Sequence, residues 1–267
     1  MVKKYFHNKV AVISGASSGI GKELALLLAE EGAKIVLAAR NESALEDLAE
    51  KIRQLGGVAL PVPTDVTQPV EVQNLIQATI NQFSTIDYLF SNAGQYLRSR
   101  IVELKAETLK QSMDINFYSH VYLTLAVLPH MLQKQQGHIV FVSSMDAKKG
   151  LPFDAPYVSA KFALAGFGDV LRQELYQSGV KVSLVFPGRV DTPMINHLKV
   201  HWISAKISAK QCAQGILNGV RKNKAEIILP PQTYLLYYLQ VISPRLADYA
   251  VRIFKLEGTE VTKERLA

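Results

Sequence analysis

Val10-Ala11-Val12-Ile13-Ser14-Gly15-Ala16-Ser17-Ser18-Gly19-Ile20-Gly21 is the stretch on which the fold of this 267-residue chain turns. Its first five residues are a mostly apolar, β-branched run without alternation, the pattern of a strand covered on both faces. A glycine-rich turn follows, and then Lys22–Glu31 has helical composition. The glycines are spaced G-x-x-x-G-x-G, with Gly15 permitting a tight turn, Gly19 a close backbone approach and Gly21 helix packing on the sheet. Free N–H groups at a helix start, here offered by Ser17, Ser18, Gly19, Ile20 and Gly21, suit a pyrophosphate. A plain strand-to-helix turn is the alternative reading.

Outward from this turn, apolar runs and helical patterns alternate. Strands are expected at 34–38, 58–63, 86–90, 138–142, 180–186 and 226–229, and helices at 42–55, 70–83, 155–178 and 208–222. Helical sequence also fills 106–134, where Pro129 should kink or end it. The rhythm predicts a single α/β domain, a Rossmann-type doubly wound parallel sheet of about seven strands with helices on both faces. The catalytic unit should span residues 1–230, with a substrate loop at 193–207. An apolar helical tail over 231–267 belongs to the same domain or contacts a membrane or a partner subunit.

Composition narrows the function. One cysteine, Cys212, excludes a disulfide framework, and His197 and His201 lack the glutamate of a zinc-protease helix, so no metal site is expected. The formal charge is +7, but the basic residues are dispersed, which argues against nucleic acid. The opening MVKKYFHNKVAVISG has too few apolar residues for a signal peptide. Cytoplasmic location is expected, with peripheral membrane contact through the tail as the alternative.

Arg40 follows the second strand where an acid would bind ribose hydroxyls. An arginine there can grip a 2′-phosphate, so NADP(H) is the expected cofactor; a solvent-facing arginine is the other reading. Tyr157 and Lys161 share one helical face, and a neighbouring ammonium should lower the phenol pKa and fit Tyr157 for proton transfer. The spacing alone decides nothing, since Tyr5 and Lys9 repeat it by chance before the first strand. Tyr157 instead follows a strand ending in Ser143-Ser144, either of which can offer a hydroxyl to a substrate oxygen.

These motifs together resemble the short-chain dehydrogenase/reductases of the compact, classical type, over about residues 8–230. The matching stretches are SGASSGIG at 14–21, TDV at 64–66, SNAG at 91–94, Asn116 in MDINFYS, SS at 143–144, YVSAK at 157–161 and PGRVDTP at 187–193. The resemblance implies hydride transfer between NADP(H) and a carbonyl or secondary alcohol, with Asn116, Ser144, Tyr157 and Lys161 as the catalytic set. Lys161 would also hold the nicotinamide ribose, and Asn116 would keep a water in a relay toward Lys161. Asp65 and Val66 would flank the adenine, Asn92, Ala93 and Gly94 would line the cofactor cleft, and Pro187, Gly188, Val190 and Thr192 would meet the nicotinamide. Ser14 and Ser91 depart from the family's usual threonine and asparagine, and Met145–Lys149 bring charge where small residues are common.

Met194, Ile195, Leu198, Trp202 and Ile203 suggest an apolar substrate wall, with ordinary packing or a dimer contact as the alternative reading, and a ketone, steroid or lipid-like molecule is the expected substrate. Homodimers or homotetramers are expected too. A dinucleotide-binding sensor without turnover is the competing function, and an epimerase built on the same Tyr–Lys pair a third; the glycine spacing and short chain argue against the last.

Overall fold

The computed structural model describes residues 4–199, 204 and 206–260. In chain order the first half runs β1 (Val10–Ser14), α1 (Gly19–Glu30), β2 (Lys34–Ala39), α2 (Glu42–Gln54), β3 (Val58–Pro63), α3 (Pro69–Phe83), β4 (Tyr88–Ser91), α4 (Ala106–Met113) and α5 (Ser119–Gln133). The second half runs β5 (Gly137–Val142), α6 (Ala155–Glu174), β6 (Val180–Pro187), β7 (Val190–Asp191), β8 (Leu198–Lys199), β9 (Ile207–Ser208), α7 (Ala209–Arg221), β10 (Glu226–Leu229), α8 (Tyr234–Ile242), α9 (Pro244–Ile253) and β11 (Thr259–Glu260).

Seven strands form one parallel sheet in the order β10-β6-β5-β4-β1-β2-β3. All residues of β1, β4 and β5 are buried, as continuous apolar runs between two helical layers require. Two apolar clusters result, one on each face. One gathers Leu89, Phe141, Leu164 and Phe186, and the other Ile13, Leu28, Phe90 and Ile216. The strand order reverses between β1 and β4. Ligands of such sheets bind at the carboxyl ends beside that reversal.

Two stretches differ from the sequence reading. The helical region 106–134 is not one helix, because a π-turn over Asp114–Tyr118 separates α4 from α5. Pro129 does not end α5, which continues to Gln133. The tail is two helices, since Ser243 leaves helical backbone and caps α9 by accepting from Leu246 N–H. Pro244 then occupies the first turn of α9, where its missing N–H costs nothing. Among the described residues no helix is long and apolar enough to cross a membrane. Trp202 and Ile203 lie outside the described residues.

Candidate active site

At the switch point Ser14 pins the turn after β1 to the turn after β4. Its Oγ accepts the amides of Asn92 and Ala93 at 2.9 and 3.0 Å. The Asn92 side chain returns to the carbonyls of Ser14 and Gly15 at 3.0 and 3.3 Å. Two glycines make the approach possible. Gly15 has φ +66°, and a Cβ on Gly21 would sit 2.2 Å from the Gly15 carbonyl oxygen. Ser18, at the N-cap of α1, gives no side-chain hydrogen bond to the helix, and no acid stands in the first turn. The first amides of α1, from Gly19 through Gly21, are therefore a cradle of the right sign for phosphate.

Arg40 is exposed after β2, and Asp65 and Val66 follow β3 on the same side of the reversal. Asp65 Oδ1 accepts from the Thr67 amide and hydroxyl, which fixes the β3–α3 turn. These residues and Gly15, Ser17 and Ser18 lie in the loops after the first three strands, and Gly19, Gly21, Ala93 and Asn116 stand behind a cavity of about 650 Å³ without lining it. Ile20, Asn92, Gly94, Pro187, Gly188, Val190 and Thr192 line it, as do Ser144, Tyr157 and Lys161. The segment after β6 meets the cradle where a Cβ on Gly19 would lie 3.0 Å from Thr192 Cγ2.

Tyr157 and Lys161 occupy the first two turns of α6, which faces the end of β5. The Lys161 ammonium donates to the Val142 carbonyl at 3.0 Å and lies 5.6 Å from the Tyr157 ring centre. The two serines after β5 divide their tasks. Ser143 donates to the Lys161 carbonyl at 3.3 Å, while Ser144 lies within hydrogen-bonding reach of the Tyr157 phenol. Asn116 sits in the π-turn, a break common at functional sites. It exchanges hydrogen bonds with the backbone of Gln95, at 2.9 and 3.0 Å, and donates to Ser112 Oγ at 3.1 Å. Gly94 leaves it room, since a Cβ there would be 2.8 Å from Asn116 Oδ1.

The titration of Tyr157 departs from the sequence expectation. Burial raises its pKa, the Asp146 charge raises it further, and the Ser144 hydrogen bond only partly opposes them. The cation meant to lower it is itself compromised, because burial pushes Lys161 down to about 7. In the protein alone burial and the Asp146 charge thus hold Tyr157 as a neutral phenol.

Several residues around the site gave no signal in the sequence. Asp154, just before α6, accepts from the Tyr96 phenol at 2.7 Å and from Arg98 Nε at 2.9 Å. Arg98 continues to the Glu257 carbonyl at 3.1 Å, Arg189 donates to the Leu256 carbonyl, and Lys149 pairs with Asp248. Three cations of the core thus hold the tail, and β11 pairs antiparallel with β8 of the substrate loop. Leu235, Leu236, Leu239, Phe254 and Leu256 are thereby brought over the cavity, against Met194, Ile195 and Leu198. Behind the site, His120 Nδ1 meets Ser91 Oγ at 2.7 Å, and burial keeps that ring neutral.

A reversing parallel sheet, an uncapped helix start at the reversal and a Ser–Tyr–Lys group beside it define the class of a nicotinamide-dependent oxidoreductase. The family model described as short chain dehydrogenase matches residues 9–201, and the chain belongs to the short-chain dehydrogenase/reductase family. It is 32% identical to the Dehydrogenase/reductase SDR family member 7B of Bos taurus, over 99% of this chain and 85% of that protein. It is 34% identical to the 11-beta-hydroxysteroid dehydrogenase-like 3 of Arabidopsis thaliana, over 91% of this chain and 80% of the relative. Among solved structures, a short chain dehydrogenase/reductase from Burkholderia phymatum in complex with NAD superposes with a TM-score of 0.84 at 25% identity, covering 92% and 96% of the two chains.

Proposed function

We propose that the protein is an NADP(H)-dependent reductase of an apolar ketone, of steroid or lipid-like character, with Tyr157 delivering the proton. The observation that carries this reading is the single cavity shared by Tyr157, Ser144 and Lys161 with the cofactor-side residues Ile20 and Thr192. Bound NADPH supplies the hydride. Tyr157, held neutral, gives its phenolic proton to the substrate oxygen as charge develops there. Ser144 donates a second hydrogen bond to that oxygen, and Lys161 stands by to hold the ribose. Asn116 fixes the loop that brings Gly94 beside Lys161. The raised phenol pKa favours the reductive direction, and the exposed Arg40 favours the 2′-phosphate.

Apolar walls on both sides of the cavity, Met194, Ile195 and Leu198 below and Leu236, Leu239 and Phe254 above, support a hydrophobic substrate. The outer face of the roof is apolar as well. Tyr238 and Ile242 on α8, and Leu246, Tyr249 and Ile253 on α9, are exposed at helical spacing, with Arg245 and Arg252 alongside. That face suits an anionic bilayer surface, from which an apolar ketone would reach the cavity. Exposed Leu125 on α5 and Phe162 and Val170 on α6 support self-association through another face.

Tyr157→Phe decides the main reading. NADPH binding, followed by fluorescence, should persist, while carbonyl reduction falls by about 10²–10⁴-fold. Retained turnover would remove Tyr157 from the mechanism. Absence of turnover in the unaltered chain across a carbonyl panel would instead favour a dinucleotide sensor.

A further inference from the structure

Asp146 is the only carboxylate among the described residues lining the cavity, and nothing in the reaction as set out above uses it. It stands two residues after Ser144 and is bound to it twice. Its amide donates to Ser144 Oγ at 3.1 Å, and the Ser144 hydroxyl lies 3.2 Å from its Oδ2.

A serine hydroxyl has one proton to give and two lone pairs. One lone pair already receives the Asp146 amide. If Asp146 is a carboxylate, it competes with the Tyr157 phenol and any substrate oxygen for the one Ser144 proton. It also sets a negative charge where reduction builds another. If Asp146 is a carboxylic acid, the bond reverses. Its O–H donates to Ser144 Oγ, and the serine proton is released toward the cavity.

We propose that Asp146 is a positioning residue that works in its protonated form, turning the Ser144 hydroxyl toward the substrate oxygen and withholding it when ionised. The proposal rests on the reading of Ser144 and Tyr157 as the site of proton transfer. No covalent bond of Asp146 changes during turnover. The proton that leaves with the product comes from Tyr157, and Asp146 is the same before and after.

The surroundings decide which acid keeps the proton. Asp146 faces Asp154, Arg98 and Arg189, and its charge reaches Tyr96 and Tyr157. Burial raises both carboxyls of the Asp146–Asp154 pair. Asp154 is drawn back by Tyr96 at 2.7 Å and by the Arg98 ion pair at 2.9 Å, both on fully buried oxygens. Among the described residues the Asp146 carboxyl has the Ser144 hydroxyl as its hydrogen-bond partner, with Arg98 and Arg189 acting only at a distance, and it is raised to about 7, by burial first and by Asp154 second. The switch therefore falls in the neutral range.

The test is the pH profile of kcat for reduction of a fixed apolar ketone with NADPH. In the unaltered enzyme kcat should fall above neutrality, approaching about tenfold per pH unit for one ionisation. Asp146→Asn cannot ionise, and its amide N–H keeps donating to Ser144, so its kcat should stay within about threefold of its maximum over that range. Asp146→Leu should lose about tenfold or more at every pH, with the KM for NADPH unchanged. Coincident profiles for the unaltered enzyme and Asp146→Asn would overturn the proposal. So would an Asp146→Asn variant as impaired as Asp146→Leu throughout, which would make the carboxylate the working form. Should the variants misfold, the infrared carbonyl band of a protonated carboxyl in the unaltered protein must still disappear as pH rises through neutrality; its absence on the acid side sinks the idea. Loss of turnover in Tyr157→Phe with coincident Asp146 profiles would discard this proposal alone, whereas turnover retained in Tyr157→Phe would discard the reading beneath it.

Discussion

The Lys161 ammonium donates to the carbonyl of Val142, the last residue of β5, at 3.0 Å, and both partners are buried. One bond thus locks the second turn of α6 to the strand that delivers Ser143 and Ser144. It also places a cation in a region that disfavours charge, which is why Lys161 is pushed down to about 7.

That depression has a stability consequence of definite sign. The unfolded chain holds this proton up to its ordinary value of 10.5, while the folded chain releases it near 7. Between those limits the unfolded state binds more protons, so the contribution of Lys161 to stability rises with pH across that window. Lys161→Met should abolish this rise and lift the melting temperature of the cofactor-free protein by a few degrees at neutral pH, while turnover is lost. The orphaned Val142 carbonyl takes back part of the gain. Thermal melts of both proteins across the window check it; an unchanged slope would show that the ammonium is not desolvated.

The proposed preference for NADP(H) rests on Arg40. Arg40→Asp should raise the KM for NADPH about tenfold to hundredfold, the loss of a charge-assisted bond plus a new repulsion, and leave NADH unharmed or improved. Steady-state kinetics with both cofactors measure it, and equal effects on the two would remove Arg40 as a phosphate clamp.

Gly94→Ala tests the packing between the β4 turn and the catalytic group. The new methyl would lie 2.8 Å from Asn116 Oδ1 and 3.7 Å from Lys161 Nζ. Stability should fall by about 1–3 kcal/mol from overpacking, and kcat by about tenfold or more because Asn116 must move. A variant with lowered stability and full kcat would make Asn116 a structural amide.

The buried Arg98–Asp154 ion pair should be costly to break. Arg98 and Asp154 are 9% and 0% exposed in their side chains. Asp154→Ala removes the carboxylate that both the Arg98 guanidinium and the Tyr96 phenol bond, and should cost about 3–5 kcal/mol in denaturant unfolding. A near-neutral result would mean that water replaces the carboxylate.

The outer face of α8 and α9 predicts sedimentation with vesicles of anionic lipid and weaker binding to neutral ones. Ile242→Gln combined with Leu246→Gln and Ile253→Gln should abolish it while reduction of a short, water-soluble ketone continues, since these side chains lie off the cavity wall. If the same triple variant instead dissociates an oligomer in analytical ultracentrifugation, the face is a contact between copies.

The sheet was legible because a strand buried on both faces must be largely apolar: β1 and β4 are short runs of that kind, and the other strands, including the edges β3 and β10, are short, mostly apolar runs set off by helical periods. About seven strands follow from that alternation, whereas the strand order, with its reversal between β1 and β4, is a matter of tertiary pairing. The break in 106–134 was not legible: the bonds that hold Asn116 in its π-turn lead to Gln95, in another loop, and periodicity sees only neighbours. The short pairings of β7 with β9 and β8 with β11 join two-residue segments too brief for any pattern.

The sequence by itself pointed to the family through a set of motifs in order, to the parallel sheet through alternating apolar runs and helical periods, and to one shared helical face for Tyr157 and Lys161 through their four-residue spacing. Tertiary structure decided the rest. Asp154 meets Tyr96 and Arg98 across 58 and 56 residues, and Arg98 reaches the tail across 159, separations at which no local rule operates. It also reversed the expected titration of Tyr157. Four-residue spacing supplies the cation, but only the folded interior sets the burial, and burial weakens the lysine and holds the proton on the phenol.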